Sequence, residues 1–95
     1  MSNEQLEKHI DELCALLLKL KTKEDAKALL EDLCTFKEVE QMALRAYAAK
    51  LFLEGNTYNA IIAATELSSA TISRVSRCIS HGSGGYKKFI QPQGD

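Results

Sequence analysis

No stretch of the 95 residues approaches the roughly 20 apolar side chains that a helix needs to cross a bilayer. The N-terminus has Asn3, Glu4 and Glu7 where a secretory signal would be basic, so neither membrane nor export is expected and the predicted location is the cytoplasm. Cysteine is sparse. Cys14, Cys34 and Cys78 are odd in number and widely spaced, which excludes a disulfide framework and a Cys-x-x-Cys zinc site and leaves buried thiols in a reducing compartment. Strand-like alternation and internal repeats are also missing, and no residues resemble an activated nucleophile or a phosphate-cradling loop. The expectation is an all-α chain without enzymatic activity and without a metal or other cofactor.

Charge is scarce in one direction only. The net value is −1, far from the basic excess of many nucleic-acid-binding domains, but it is unevenly divided. Residues 1–55 carry eight Lys or Arg against eleven Asp or Glu, a net of −3. Residues 56–95 carry Arg74, Arg77, Lys87 and Lys88 against Glu66 and Asp95, a net of +2, which points to a phosphate-facing surface in the C-terminal part. A chain this short buries only about two-thirds of its unfolded surface, and its first third holds more Leu and Ile than one copy can hide, so a dimer is expected.

Leu6, Ile10, Leu13, Leu17 and Leu20 recur every three or four residues, which predicts a first amphipathic helix. Leu16 and Leu18 widen its apolar face. Thr22, followed by Glu24 and Asp25, caps a second helix buried through Ala26, Leu29, Leu30 and Leu33 and ending near Cys34. Thr35-Phe36-Lys37-Glu38 reads as a capping box. It opens a third helix through Val39, Met42, Ala43, Ala46, Ala49 and Phe52 that ends at Gly55.

From Asn56 to His81 there is no proline. Thr57 can cap a short helix from Tyr58 to about Thr65, Glu66-Leu67-Ser68 can turn the chain, and Ser68 or Ser69 can cap the next helix. Ile61, Ile62, Leu67, Ile72, Val75 and Ile79 are expected inside, with Thr71, Ser73, Arg74 and Arg77 outside. This pattern fits a helix-turn-helix between about residues 58 and 80, although the turn lacks the usual glycine and so needs one residue in an unusual conformation. A major groove only about 12 Å wide demands small polar side chains on a recognition helix, and Ser69, Ala70, Thr71 and Ser73 meet that demand. Arg74 and Arg77 can neutralise phosphate at its flank. A helical hairpin with a merely solvated polar face has the same spacing. After Ser80, Gly82-Ser83-Gly84-Gly85 breaks the chain, Tyr86 to Ile90 can form a last helical turn, and residues 91–95 read as a disordered tail.

The run Leu53-Glu54-Gly55-Asn56-Thr57-Tyr58, then Ala70-Thr71-Ile72-Ser73-Arg74-Val75-Ser76-Arg77-Cys78, then Gly85-Tyr86, resembles the YerC/YecD branch of the Trp-repressor superfamily. Asp32-Leu33-Cys34-Thr35 and Arg45 are similar to that branch as well, and the likeness covers about residues 25–90. It implies a single Trp-repressor-like domain over residues 1–90, an intertwined homodimer, and two recognition helices entering successive major grooves of a palindromic operator. On that basis the DNA-binding residues are Tyr58, Ser69, Ala70, Thr71, Ser73, Arg74 and Arg77. The implied function is a DNA-binding transcriptional regulator, a repressor, located on the nucleoid when bound. The rival reading is a helical dimerisation or protein-interaction module that does not bind DNA.

In tryptophan-responsive relatives a corepressor is held between two arginines, and the similar positions here are Arg45 and Arg74. The position that offers the ligand a hydroxyl corresponds to Cys78, a weak hydrogen-bond partner. Arg45, Arg74 and Cys78 are therefore the candidate effector site. The favoured alternative has Arg45 paired with Glu38 or Glu40 and Arg74 on phosphate, without a tryptophan corepressor. Cys78 and His81 lie three apart, but two ligands do not make a metal site.

Overall fold

The computed structural model describes residues 1–90, and the expected disordered tail at 91–95 lies outside the described residues. The chain is all-α, with no strand among the described residues. It divides into two compact units, Met1–Phe36 and Lys37 onward.

The first unit holds α1 (Asn3–Leu17) and α2 (Lys23–Leu33). At the start of α1, Ser2 and Gln5 form a reciprocal capping box: the Gln5 amide donates to Ser2 Oγ at 3.2 Å and the Ser2 amide to Gln5 Oε1 at 2.8 Å. The helix stops at Leu17, so Leu20 falls in the following turn and not on the helical face assigned to it. No residue of α1 is buried. Leu13 remains 37% and Leu17 44% exposed, and Leu6, Ile10 and Leu16 are similarly open. Cys14 lies on that same side, three or four residues from Ile10 and Leu17, which is why it is exposed and not the buried thiol expected. In α2 the Thr22 hydroxyl accepts from the Asp25 amide at 3.0 Å, as the cap predicts. Ala26, Leu29 and Leu30 are half-buried, whereas Leu33, at the last residue of the helix, is exposed.

The second unit contains α3 (Phe36–Leu53) from Lys37 onward, α4 (Tyr58–Thr65), α5 (Ser69–His81) and α6 (Gly85–Phe89). α3 begins directly after Thr35, which puts that residue at the N-cap position. Its end is a Schellman motif. Gly55 takes φ +90°, its amide donates to the Phe52 carbonyl at 3.0 Å, and the Asn56 amide donates to the Leu51 carbonyl at 3.0 Å. The buried side chains of α3 are Ala48 and Ala49, with Leu44, Leu51 and Phe52 packed beside them, while Ala43 and Ala46 are exposed. α3 is apolar on several sides, so its spacing alone does not reveal which stripe faces inward; the residues at 44, 48, 51 and 52 do. Ala48 and Ala49 join Ile61, Leu67, Ile72 and Val75 in one cluster. The small alanines let backbones approach, and Ile61, Ile72 and Val75 are the largest side chains fully withdrawn from water.

Candidate nucleic-acid interface

The helix-turn-helix unit is formed by α4 and α5, and each of the two helices begins at a hydroxyl cap. Thr57 caps α4 by accepting from the Ala60 amide at 3.1 Å, and Ser68 caps α5 by accepting from the Thr71 amide at 3.2 Å. Thr65 is buried, donates to the Ile61 carbonyl at 2.8 Å and accepts from the Leu67 amide at 3.3 Å. That pair of bonds carries the chain around the corner without leaving the buried hydroxyl unsatisfied. The residue forced into an unusual conformation is Glu66, at φ 58° and ψ 18°, in the left-handed region. Leu67 then turns inward, and Ile72 and Val75 of α5 meet Ile61 of α4 in the core.

These anchors leave one side of α5 facing solvent. Ser69, Ala70, Ser73, Arg74 and Arg77 are exposed, and Thr71 is half-buried. Exposure is not the same as availability. The Thr71 hydroxyl lies 2.9 Å from Ser68 Oγ, so it takes part in the cap. Tyr58, grouped with the DNA contacts by resemblance, uses its hydroxyl within the motif: it donates to the Ser69 carbonyl at 2.7 Å and lies 2.8 Å from Ser73 Oγ. Its ring meets Phe52 edge-on at 6.5 Å. Neither spacing nor capping signals this latch, because its partners are 11 and 15 residues away in sequence. The aromatic residue at the first position of a helix that needs no core side chain there was the available hint.

Arg74 and Arg77 have no carboxylate partner among the described residues. Together with Cys78, His81 and Gly82 they line an open cavity of about 230 Å³. Arg74 and Cys78 of the candidate effector site are thus brought together, whereas Arg45 is half-buried on α3 and is not among the lining residues. The expected pairing of Arg45 with Glu38 or Glu40 is not formed. Glu40 lies 3.8 Å from Lys37 Nζ, one turn back on the same helix, and Arg45 has no ion pair among the described residues. Cys78 and His81 both border the cavity, but no cluster of three or more metal-ligating side chains occurs among the described residues. No described helix is long and apolar enough to cross a membrane.

The architecture and this motif define an all-helical chain whose second unit carries a helix-turn-helix. The Trp repressor protein family matches residues 8–94, and the chain belongs to that family, one of regulators and not of enzymes. It is 41% identical to the uncharacterized protein YerC of Bacillus subtilis (strain 168) over 83 residues, which is 87% of this chain and 80% of YerC. The crystal structure of a TrpR-like protein from Eubacterium eligens superposes with a TM-score of 0.83 at 32% identity, covering 94% of this chain and 99% of that one. A crystal structure from Staphylococcus aureus gives a TM-score of 0.83 at 35% identity, covering 93% and 89% of the two chains.

Proposed function

We propose that the protein is a sequence-specific DNA-binding transcriptional regulator, acting as a repressor, that binds a palindromic operator as a homodimer. The observation that carries this reading is the state of α5. Its N-terminal end is capped by the Ser68 hydroxyl and tied to α4 by the Tyr58 latch, and it presents Ser69, Ala70, Thr71 and Ser73 beside two arginines that lack carboxylate partners among the described residues. Small polar side chains there suit base edges in a major groove, and free guanidinium groups suit phosphate. The open apolar side of α1 supports the homodimer, since a second copy would withdraw it from water. In this reading residues 1–90 work as one DNA-binding domain, in the cytoplasm and on the nucleoid when bound. Tryptophan is not assigned as corepressor: Arg45 does not line the cavity that Arg74 and Cys78 share, and a thiol is a poor partner for an ammonium group.

Selection of bound fragments from random duplex DNA, followed by affinity measurements at several salt concentrations, tests the proposal. A palindromic consensus is expected, with log affinity falling linearly against log salt. Arg77→Ala should weaken all duplexes by a similar factor and reduce the salt slope by about one. Absence of a consensus, with affinity indifferent to salt, would instead favour a protein-interaction module.

A further inference from the structure

Tyr58 stands at the start of α4, yet its hydroxyl belongs to α5. The phenolic oxygen is 2.7 Å from the Ser69 carbonyl oxygen and 2.8 Å from Ser73 Oγ. A phenol has one proton and a carbonyl can only accept, so that proton goes to Ser69. The contact with Ser73 then requires the serine to donate. Its only proton is directed at Tyr58, and Ser73, an exposed residue, offers its surroundings lone pairs alone from that oxygen. Edge-on packing of the Tyr58 ring against Phe52, at 6.5 Å and 61°, fixes the direction from which the phenol approaches.

We propose that Tyr58 is a positioning residue for sequence recognition: it holds Ser73 as an acceptor-only group, so the base opposite Ser73 is one that presents an amino hydrogen, adenine N6 or cytosine N4. This inference rests on the DNA-binding reading above and assigns the polarity of one of its contacts. Guanine presents N7 and O6 in the major groove and thymine presents O4, all acceptors, so lone pair would face lone pair. A serine free to rotate its hydroxyl could satisfy either kind of base. Discrimination at that position therefore originates in a tyrosine that need not touch DNA.

Operators varied base by base, measured with the native protein, Tyr58→Phe, Ser73→Ala and the double variant, test the assignment. The position read by Ser73 is the symmetric pair whose preference Ser73→Ala abolishes. There the native protein should prefer adenine or cytosine by about fivefold, the effect of one modest hydrogen bond. Tyr58→Phe keeps the ring against Phe52 and releases the Ser73 proton, so the preference should flatten while the salt slope stays unchanged. In the Ser73→Ala background, Tyr58→Phe should change the profile no further. A native profile retained by Tyr58→Phe, a preference for guanine or thymine, or additive effects of the two substitutions would each overturn the proposal, the last by showing that Tyr58 touches DNA itself. Thermal unfolding of the same four proteins separates two kinds of failure. Non-additive stability losses without any selected sequence would leave the hydroxyl network standing and overturn the DNA-binding reading, and this assignment with it. Additive losses would overturn the hydrogen bond itself.

Discussion

Replacing Glu66 with glycine should make the protein more stable, although it removes a side chain. Glu66 occupies the left-handed region at φ 58° and ψ 18°, where an L side chain is strained by about 1–2 kcal/mol. Glycine has no such strain. The backbone bond that ends α4, from the Glu66 amide to the Ile62 carbonyl at 2.9 Å, does not involve the side chain and survives the change. The carboxylate is exposed and has no hydrogen bond or ion pair among the described residues, so nothing is lost with it there. Against the relief stands the greater freedom of glycine in the unfolded chain, about 0.4–1 kcal/mol. The balance is a gain of about 0.5–1 kcal/mol, which for a domain of this size raises Tm by a few degrees. Urea and thermal unfolding at matched protein concentration would measure it, because unfolding of the proposed dimer would depend on concentration. Glu66→Ala is the control: it removes the carboxylate but keeps Cβ, and should stay within about 0.5 kcal/mol of native. If Glu66→Gly is no more stable than Glu66→Ala, backbone strain at this turn is not the cause.

Gly82→Ala should destabilise by about 1–3 kcal/mol, because its Cβ would overlap the carbonyl oxygen of Cys78, the acceptor of the Gly82 amide; an unchanged urea midpoint would contradict this. Changing Leu13 and Leu17 together to Glu should abolish the proposed homodimer, since charge would be buried unpaired if α1 forms its apolar interface. Sedimentation of the native protein as a monomer at micromolar concentration, or of the variant as a dimer, would remove the assigned role of α1. Thr71→Val keeps the shape and loses the hydroxyl that lies 2.9 Å from Ser68 Oγ. It should relax discrimination at one symmetric pair of operator positions by about 1 kcal/mol with little change in nonspecific affinity. An unaltered base profile accompanied by lower stability would confine Thr71 to the cap.

Helix positions and their starts were legible in the sequence because the signals are local. Thr22, Thr57 and Ser68 each accept from an amide three residues on, and Gly55 ends α3 by a conformation of its own backbone. Such contacts lie within a single turn, so the order of residues determines them, as it does the Ile72 and Val75 spacing that buries α5. Other features needed the packed chain. Which stripe of α3 faces inward, Ala48 and Ala49 and not Ala43 and Ala46, depends on where α4 and α5 lie, since an alanine-rich helix is nearly as apolar on one side as another. The exposure of α1's apolar side and of Cys14 is likewise not legible from spacing, which gives a stripe but not what covers it. Most consequential is the fate of the hydroxyls. By sequence Tyr58 and Ser73 are two polar residues suited to DNA; only the approach of α4 to α5 brings them within 2.8 Å and commits the serine's proton, because a hydrogen bond between distant residues exists only once both helices are held at a fixed angle.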